Sequence, residues 1–190
     1  MKSWSEKLFF KINEHIGDHK WLDKLMVFCA HDLVYILVFL AFMWATTTLT
    51  HGEELKQFIK LIMTAGAFSF LFSWSIALIS PKKRPMDEYP EIENLLKPAG
   101  TWKTFPSDHT IGSFTISLIA AIMGAPAWFV IVLVGLSLMI GFGRVYVGVH
   151  YPKDILGGIV IAVIFALPSP WLLANITQPV YNLFKQLFLL

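Results

Sequence analysis

Along this chain, long apolar runs free of Asp, Glu, Lys and Arg alternate with short clusters of charge. The uncharged runs are 33–50, 61–81, 110–143 and 155–184, each long enough for a helix to cross a bilayer. The third is too long for one crossing. Gly124-Ala125-Pro126 divides it, because glycine ends helices and proline begins them. One helix therefore enters near Ser107 and another runs from Pro126 to about Gly143, which makes five spanning helices. In the last run Pro168 and Pro170 predict kinks, and from Asn175 onward the chain is more polar and leaves the hydrocarbon or lies on its surface.

The first 30 residues read differently. Trp4, Leu8, Phe9, Ile12 and Ile16 recur at helical spacing opposite Lys7, Lys11 and Glu14, the pattern of an interfacial amphipathic helix. Glu6, Lys7 and Lys11 interrupt any signal-peptide core. The predicted architecture is an all-α integral membrane protein of the multi-pass class. Residues 1–30 form an amphipathic interfacial segment, and residues 31–190 a bundle of five transmembrane helices.

Composition agrees. Of 190 residues 56% are apolar and only 15% charged, and the mean hydropathy is +0.62, outside the range of soluble domains. The net charge of +2 comes with no Lys/Arg stripe, so no nucleic-acid partner is expected. Nothing implies a protein partner. A single cysteine, Cys29, excludes an internal disulfide and any thiolate metal cluster.

Five crossings put the loops 82–106 and 144–153 on one face. That face carries Lys82, Lys83, Arg84, Ser107, His109, Arg144, His150 and Asp154, whereas the opposite loops offer only His51, Glu53, Glu54 and Lys56. In Phe105-Pro106-Ser107-Asp108-His109 the serine is a good N-cap, and the first free N–H groups of the helix can bind an anion beside His109. Alternatively, Ser107 is only a cap and His109 only an interfacial side chain. Pro152 breaks any helix between His150 and Asp154, so Asp154 opens the fifth span and can reach back to His150. A carboxylate on one ring nitrogen leaves the other as nucleophile or base. Singly, Asp154 is a common helix-start residue and Arg144 a common membrane-edge residue. Two arginines, two histidines and an aspartate at one end of a bundle are harder to explain separately. His109, His150 and Asp154 could also hold zinc, but Arg84 and Arg144 would repel a cation and suit a phosphate. No metal and no cofactor are expected. The loop 85–105, with Asp87, Glu88, Glu91 and Glu93, reads as a solvated lid or a plain connector.

These residues resemble the type 2 phosphatidic acid phosphatase superfamily of membrane lipid phosphatases. Its three motifs are a lysine, six residues, then Arg-Pro; Pro-Ser-Gly-His; and Ser-Arg, five residues, His, three residues, Asp. They correspond to Arg84-Pro85, to Pro106-Ser107-Asp108-His109, and to Gly143-Arg144 with His150 and Asp154. Three positions depart: Ala77 stands where the lysine falls, with Lys82 or Lys83 as possible substitutes, Asp108 replaces glycine and Gly143 replaces serine. The Pro-Ser-Asp-His form on a short chain is similar to bacterial undecaprenyl-diphosphate phosphatases.

The resemblance implies that His150, oriented by Asp154, attacks phosphorus to give a phosphohistidine. His109 protonates the leaving oxygen, and Arg84, Arg144 and Ser107 hold the phosphate oxygens, with Lys82 or Lys83 added from the loop. The implied substrate is a membrane lipid phosphate, most simply undecaprenyl diphosphate, reached from the lipid bilayer. Phosphatidylglycerophosphate, phosphatidic acid or lipid A are alternatives, and a non-enzymatic anion-binding transporter or assembly factor is the alternative of another class. Such roles imply a bell-shaped pH dependence, narrowed if Asp154 raises the pKa of His150. Twelve of the 15 Lys and Arg fall on the site face, which by the positive-inside rule is cytoplasmic. The resemblance implies an extracytoplasmic site, and that is the reading adopted.

Overall fold

The computed structural model describes residues 3–49, 52–97 and 103–188, and every regular element among them is helical. Thr50 and His51, placed by the sequence at the end of the first span and in the opposite loop, lie outside the described residues. The elements are α1 (Trp4–Asn13), α2 (Lys20–His31), α3 (Leu33–Thr48), α4 (Gly52–Ile79), α5 (Pro85–Glu88), α6 (Asp108–Ile122), α7 (Ala127–Tyr146), α8 (Pro152–Ala166), α9 (Ser169–Leu172) and α10 (Gln178–Phe188). A π-helical turn, Leu173–Thr177, joins the last two.

Two of these, α4 and α7, are each long and apolar enough to cross a membrane alone. The pair α2–α3, bent by 51°, and the pair formed by α8 with Ser169–Phe188, bent by 54°, each have the length and apolarity of one broken span or a re-entrant loop. At 15 residues, α6 is the short member, about 22 Å at 1.5 Å per residue. The outer surface is studded with exposed Phe39, Met63, Leu71, Ile131, Leu138 and Ile164, as a lipid-facing wall requires. Inside, Leu37, Phe58, Leu61, Ile119, Leu133 and Val147 are fully buried in one core.

Helix α6 is the hub, packed against α7, α8, α4 and α3. Its buried residues include the small polar Ser113, Thr115 and Ser117 beside Ile111, Phe114 and Ile119, and Ser117 Oγ lies 3.1 Å from Ser137 Oγ of α7. Small residues let helix backbones approach where lipid provides no hydrophobic drive. At Gly158 of α8 a Cβ would lie 2.9 Å from Thr110 Cβ and 3.0 Å from the Ser107 carbonyl oxygen. That approach sets the start of α8 against the start of α6. The predicted break at Gly124 is a left-handed helix end, φ +84°, with Ala125 N–H donating to Ala120 O at 2.9 Å.

The first 30 residues differ from the single surface segment expected. They form two helices separated at Gly17, and α1, capped reciprocally by Ser3 and Glu6, is fixed to the bundle. Phe9 and Ser5 are fully buried, Asn13 Nδ2 donates to Glu93 O and Tyr146 O, and Lys153 N–H donates to Ser5 Oγ at 3.0 Å. An apolar stripe on a helix reads alike whether lipid or protein covers it, and here protein takes Phe9. The expected boundary at residue 30 falls just before the bend between α2 and α3. The loop after α4 is likewise tied down over its described first part: Tyr151 Oη–H donates to Glu88 Oε2 at 2.7 Å and Leu95 N–H to Val147 O at 3.2 Å. That part is no free lid. At the far end α10 buries no side chain and exposes Val180, Leu183, Phe184, Leu187 and Phe188, and Lys60 Nζ meets Gln178 Oε1 at 3.0 Å.

Candidate active site

The six-residue separation between Arg144 and His150 is the product of a helix end. Helix α7 stops at Tyr146, and Gly148 takes φ +88°, the left-handed conformation that glycine adopts without strain. Val149 N–H then returns to Arg144 O at 3.3 Å and Gly148 N–H to Val145 O at 3.1 Å, the paired bonds of a Schellman turn. His150 N–H also donates to Arg144 O, at 3.2 Å. The backbone is thereby folded so that Arg144 and His150 line one cavity. Pro152 starts α8 immediately afterwards, and Asp154, its third residue, accepts Tyr151 N–H at 2.8 Å.

His150 Nδ1 faces Asp154 Oδ2 at 3.5 Å and Thr104 Oγ1 at 3.3 Å, and Thr104 donates its hydroxyl proton to the same carboxylate oxygen at 2.6 Å. The Asp154 carboxylate only accepts, and the Thr104 hydroxyl has spent its one proton on it. Nδ1 therefore carries the imidazole hydrogen and Nε2 keeps its lone pair. His150 is nearly buried, Thr104 and Asp154 completely so. Burial pulls His150 from its ordinary 6.5 to about 4; Asp154 opposes the shift, while Arg144 and Arg84 add to it. Asp154 raises this pKa as expected, but desolvation outweighs it, and the ring stays neutral through the physiological range.

The cavity, about 550 Å³, is lined by Arg84, Lys103, Asp108, His109, Arg144 and His150, with His31, Tyr35, Trp74 and Leu96 around its rim. Arg84 is steadied by the Val149 carbonyl, Nη1 to O 3.2 Å, and burial lowers its pKa. Arg144 donates Nη1 to Ala30 O at 3.3 Å, and its buried Nε has no hydrogen-bond partner among the described residues. Ser107 occupies the N-cap of α6 and accepts Ile111 N–H at 3.0 Å, yet its hydroxyl caps nothing; the buried Oγ has no partner among the described residues. Ser107 N–H donates to Asp154 O at 3.1 Å, so the second and third motifs are locked together by a backbone bond.

Lys82 and Lys83 are exposed and do not line the cavity. Lys82 contributes backbone instead, in an isolated parallel bridge to Lys103 with Thr104 N–H on Lys82 O at 3.2 Å. Two lysines line the cavity beside the arginines, the exposed Lys97 and the buried Lys103; Lys103 is the one held in place. Its Nζ donates to Ser73 Oγ at 2.7 Å and is ion-paired with Asp108, and burial lowers its pKa against that pairing. Ala77 is buried one turn beyond Ser73 on α4. Gly143 is explained by packing: a Cβ there would stand 2.9 Å from Ala30 N, so α2 occupies the place a serine would need. Thr104 and Lys103 were not foreseen, and the available signal was their adjacency to the Pro106-Ser107-Asp108-His109 motif. Among the described residues no three of His, Cys, Asp and Glu converge as metal ligands.

The chain matches the PAP2 superfamily over residues 54–178. It is 32% identical over 165 residues to YbjG of Escherichia coli (strain K12), provisionally named an undecaprenyl-diphosphatase, covering 85% of this chain and 79% of that one. It is 30% identical over 145 residues to the undecaprenyl-diphosphatase BcrC of Bacillus subtilis (strain 168), covering 75% and 70%. In fold it is similar to the crystal structure of Aquifex aeolicus LpxE, with a TM-score of 0.71 at 24% identity, covering 88% of this chain and 95% of that one. A PAP2-type phosphatidylglycerolphosphate phosphatase of Bacillus subtilis gives 0.63 at 17%, covering 92% and 89%. With the Arg84, Pro106–His109 and Arg144–Asp154 motifs gathered at one cavity within a match of that extent, the chain belongs to the PAP2 superfamily of membrane lipid phosphatases.

Proposed function

We propose that this phosphatase removes the terminal phosphate of a polyprenyl diphosphate, undecaprenyl diphosphate being the natural candidate, through a phosphohistidine on His150. The observation that carries the reading is the posture of His150: Nδ1 is held by Asp154 and Thr104, so the Nε2 lone pair is free in a cavity walled by Arg84 and Arg144. In the first step Nε2 forms a bond to the terminal phosphorus while the bond from phosphorus to the bridging oxygen breaks. His109 gives its proton to that oxygen, and the lipid monophosphate leaves. In the second step water attacks the phosphohistidine, His109 takes a proton from it, and inorganic phosphate is released with His150 restored. Arg84, Arg144, Ser107 and the N-terminus of α6 hold the equatorial oxygens, where charge stabilisation does most of the work. The two named relatives support a polyprenyl diphosphate over the glycerolipid and lipid A alternatives.

We read the chain as five crossings, α2–α3, α4, α6, α7 and α8 with its continuation. Here α6 is short because it begins at the floor of a polar cavity rather than at the membrane edge. The site is assigned to the extracytoplasmic face. Arg84, Lys103 and Arg144 line the cavity and are read as phosphate ligands; of the nine other Lys and Arg on that face, five lie in the N-terminal segment, outside a rule for short loops, which leaves four against three.

The test uses the protein purified in detergent with undecaprenyl diphosphate labelled in its terminal phosphate. Wild type should release labelled phosphate and, quenched in alkali, retain label on the chain. His150→Ala should do neither while remaining monodisperse. Substantial turnover by a folded His150→Ala protein removes the phosphohistidine from the mechanism.

A further inference from the structure

Arg84 and Arg144 flank His150, but Lys103 stands at the side of the cavity made by α4 and the start of α6. There it meets Ser73, Asp108 and, 5.9 Å from its ring centroid, Trp74. A second hollow follows directly along the same two helices. It measures about 370 Å³, is wholly apolar, and is lined from α4 by Ile62, Met63, Gly66 and Phe70 and from α6 by Gly112, Thr115 and Ile116. The register places the two in succession along α4 and α6. Ser73 and Phe70 are three residues apart on α4, and Asp108 and Gly112 four apart on α6, so each pair shares a helix face one turn apart. Phe70 Cζ lies 3.9 Å from where a Cβ of Gly112 would stand. Passing from the apolar hollow to His150, a ligand meets Lys103 before it meets the two arginines.

We infer that Lys103 is a specificity-determining residue that binds the lipid-linked phosphate of a diphosphate, while the terminal phosphate sits against Arg84, Arg144 and His150. The inference rests on the diphosphate reading above and deepens it. An apolar chain in the hollow between α4 and α6 has its first phosphate at Lys103, and only a second phosphate then reaches His150. A monophosphate on the same chain must leave either the hollow or Lys103 to be attacked. Asp108 serves as the counter-ion that keeps the buried ammonium charged and in place on the α4 side, through the pairing described, against desolvation and the repulsion of Arg84. This also accounts for two departures from the family motifs together: Ala77 makes room where the motif lysine falls, and Asp108 replaces glycine to hold the lysine that approaches from the loop instead.

The experiment compares farnesyl diphosphate with farnesyl monophosphate, which share one chain, by phosphate release from the purified protein in detergent. Wild type, Lys103→Met and the double variant Lys103→Met/Asp108→Asn are assayed after a melting curve confirms that each is folded. The kcat/KM ratio, diphosphate over monophosphate, should fall about tenfold or more in Lys103→Met and stay low in the double variant, because the loss belongs to the cation. A ratio unchanged by Lys103→Met, with both substrates falling together or neither falling, overturns the assignment. So does a double variant that recovers the wild-type ratio, since the effect would then be repulsion from an unpaired Asp108. A wild-type protein with no preference for the diphosphate overturns the diphosphate reading itself and this assignment with it, whereas a preference that survives in Lys103→Met overturns the assignment alone.

Discussion

Thr104 donates its hydroxyl proton to Asp154 Oδ2 at 2.6 Å, and through that bond a residue outside every motif of the site takes part in holding the nucleophile. Thr104 Oγ1 itself faces His150 Nδ1 at 3.3 Å. Thr104→Val keeps the shape and removes both interactions. It should lower kcat/KM about tenfold, the scale of one hydrogen bond to a charged group, and Thr104→Ser should restore most of it. A role in packing alone would move only the amplitude. A role in positioning moves the pH profile too: with one donor lost, the Asp154 charge acts more fully on His150, so the acidic limb should shift upward. A Thr104→Val enzyme with an unmoved acidic limb would reduce Thr104 to a space-filler.

Arg144 holds one carbonyl, that of Ala30, and leaves its buried Nε without a partner among the described residues. A guanidinium so placed offers a planar edge to a phosphate that an ammonium cannot copy. Arg144→Lys should therefore cost about 100-fold or more in kcat/KM, roughly 3 kcal/mol of transition-state stabilisation, with the melting temperature nearly unchanged. Rates within a fewfold of wild type would make Arg144 a structural tether for α2 only.

Gly158 tests the backbone frame of the site. A Cβ there would press on Thr110 and on the Ser107 carbonyl, which cannot yield without separating α8 from α6 and stretching the Ser107 to Asp154 bond. Gly158→Ala should destabilise the protein by about 1–3 kcal/mol and depress activity, while Gly135→Ala on α7, with nothing within 4 Å of its Cβ, should be neutral or mildly stabilising. Melting curves of the two variants in one detergent decide it; equal behaviour would show that the helices have slack at Gly158.

What the sequence made legible was local. The relation of Arg144, His150 and Asp154 lies within one helix end, one turn and one proline-started helix, so spacing alone describes it. The division of the long apolar run at Gly124-Ala125-Pro126 is of the same kind. Thr104 and Lys103 were hidden because their partners are distant in the chain. Thr104 meets His150 and Asp154 across 46 and 50 residues, and Lys103 meets Ser73 across 30. A bridge between Lys82 and Lys103 brings the loop ends together, and no periodicity announces it. For the same reason the lysine substitute was sought at Lys82 and Lys83, next to Arg84, rather than beside Ser107. The burial of α1 was illegible for a different reason, since an amphipathic stripe does not name its partner.

The final prediction concerns pH, where the proposed roles require His150 neutral and His109 protonated. Burial, with Arg144 and Arg84 reinforcing it, sets His150 at about 4 despite Asp154. Protonation removes the Nε2 lone pair, so kcat/KM should hold as pH falls from 7 and drop only as it passes through about 4 to 5. That limb lies well below the ordinary histidine range. The alkaline limb reports loss of the proton given to the leaving oxygen, and because the two histidines and the anionic substrate interact, both limbs are properties of the pair. His109→Asn separates the roles. It should abolish the alkaline limb, preserve the acidic one, and slow a lipid phosphate far more than an activated aryl phosphate whose leaving group needs no proton. Rate against pH for both proteins on both substrates decides the matter. An acidic limb near 6.5 in wild type would show His150 to be more solvated than its burial allows. A His109→Asn enzyme that keeps the full bell and treats both substrates alike would remove His109 as the acid.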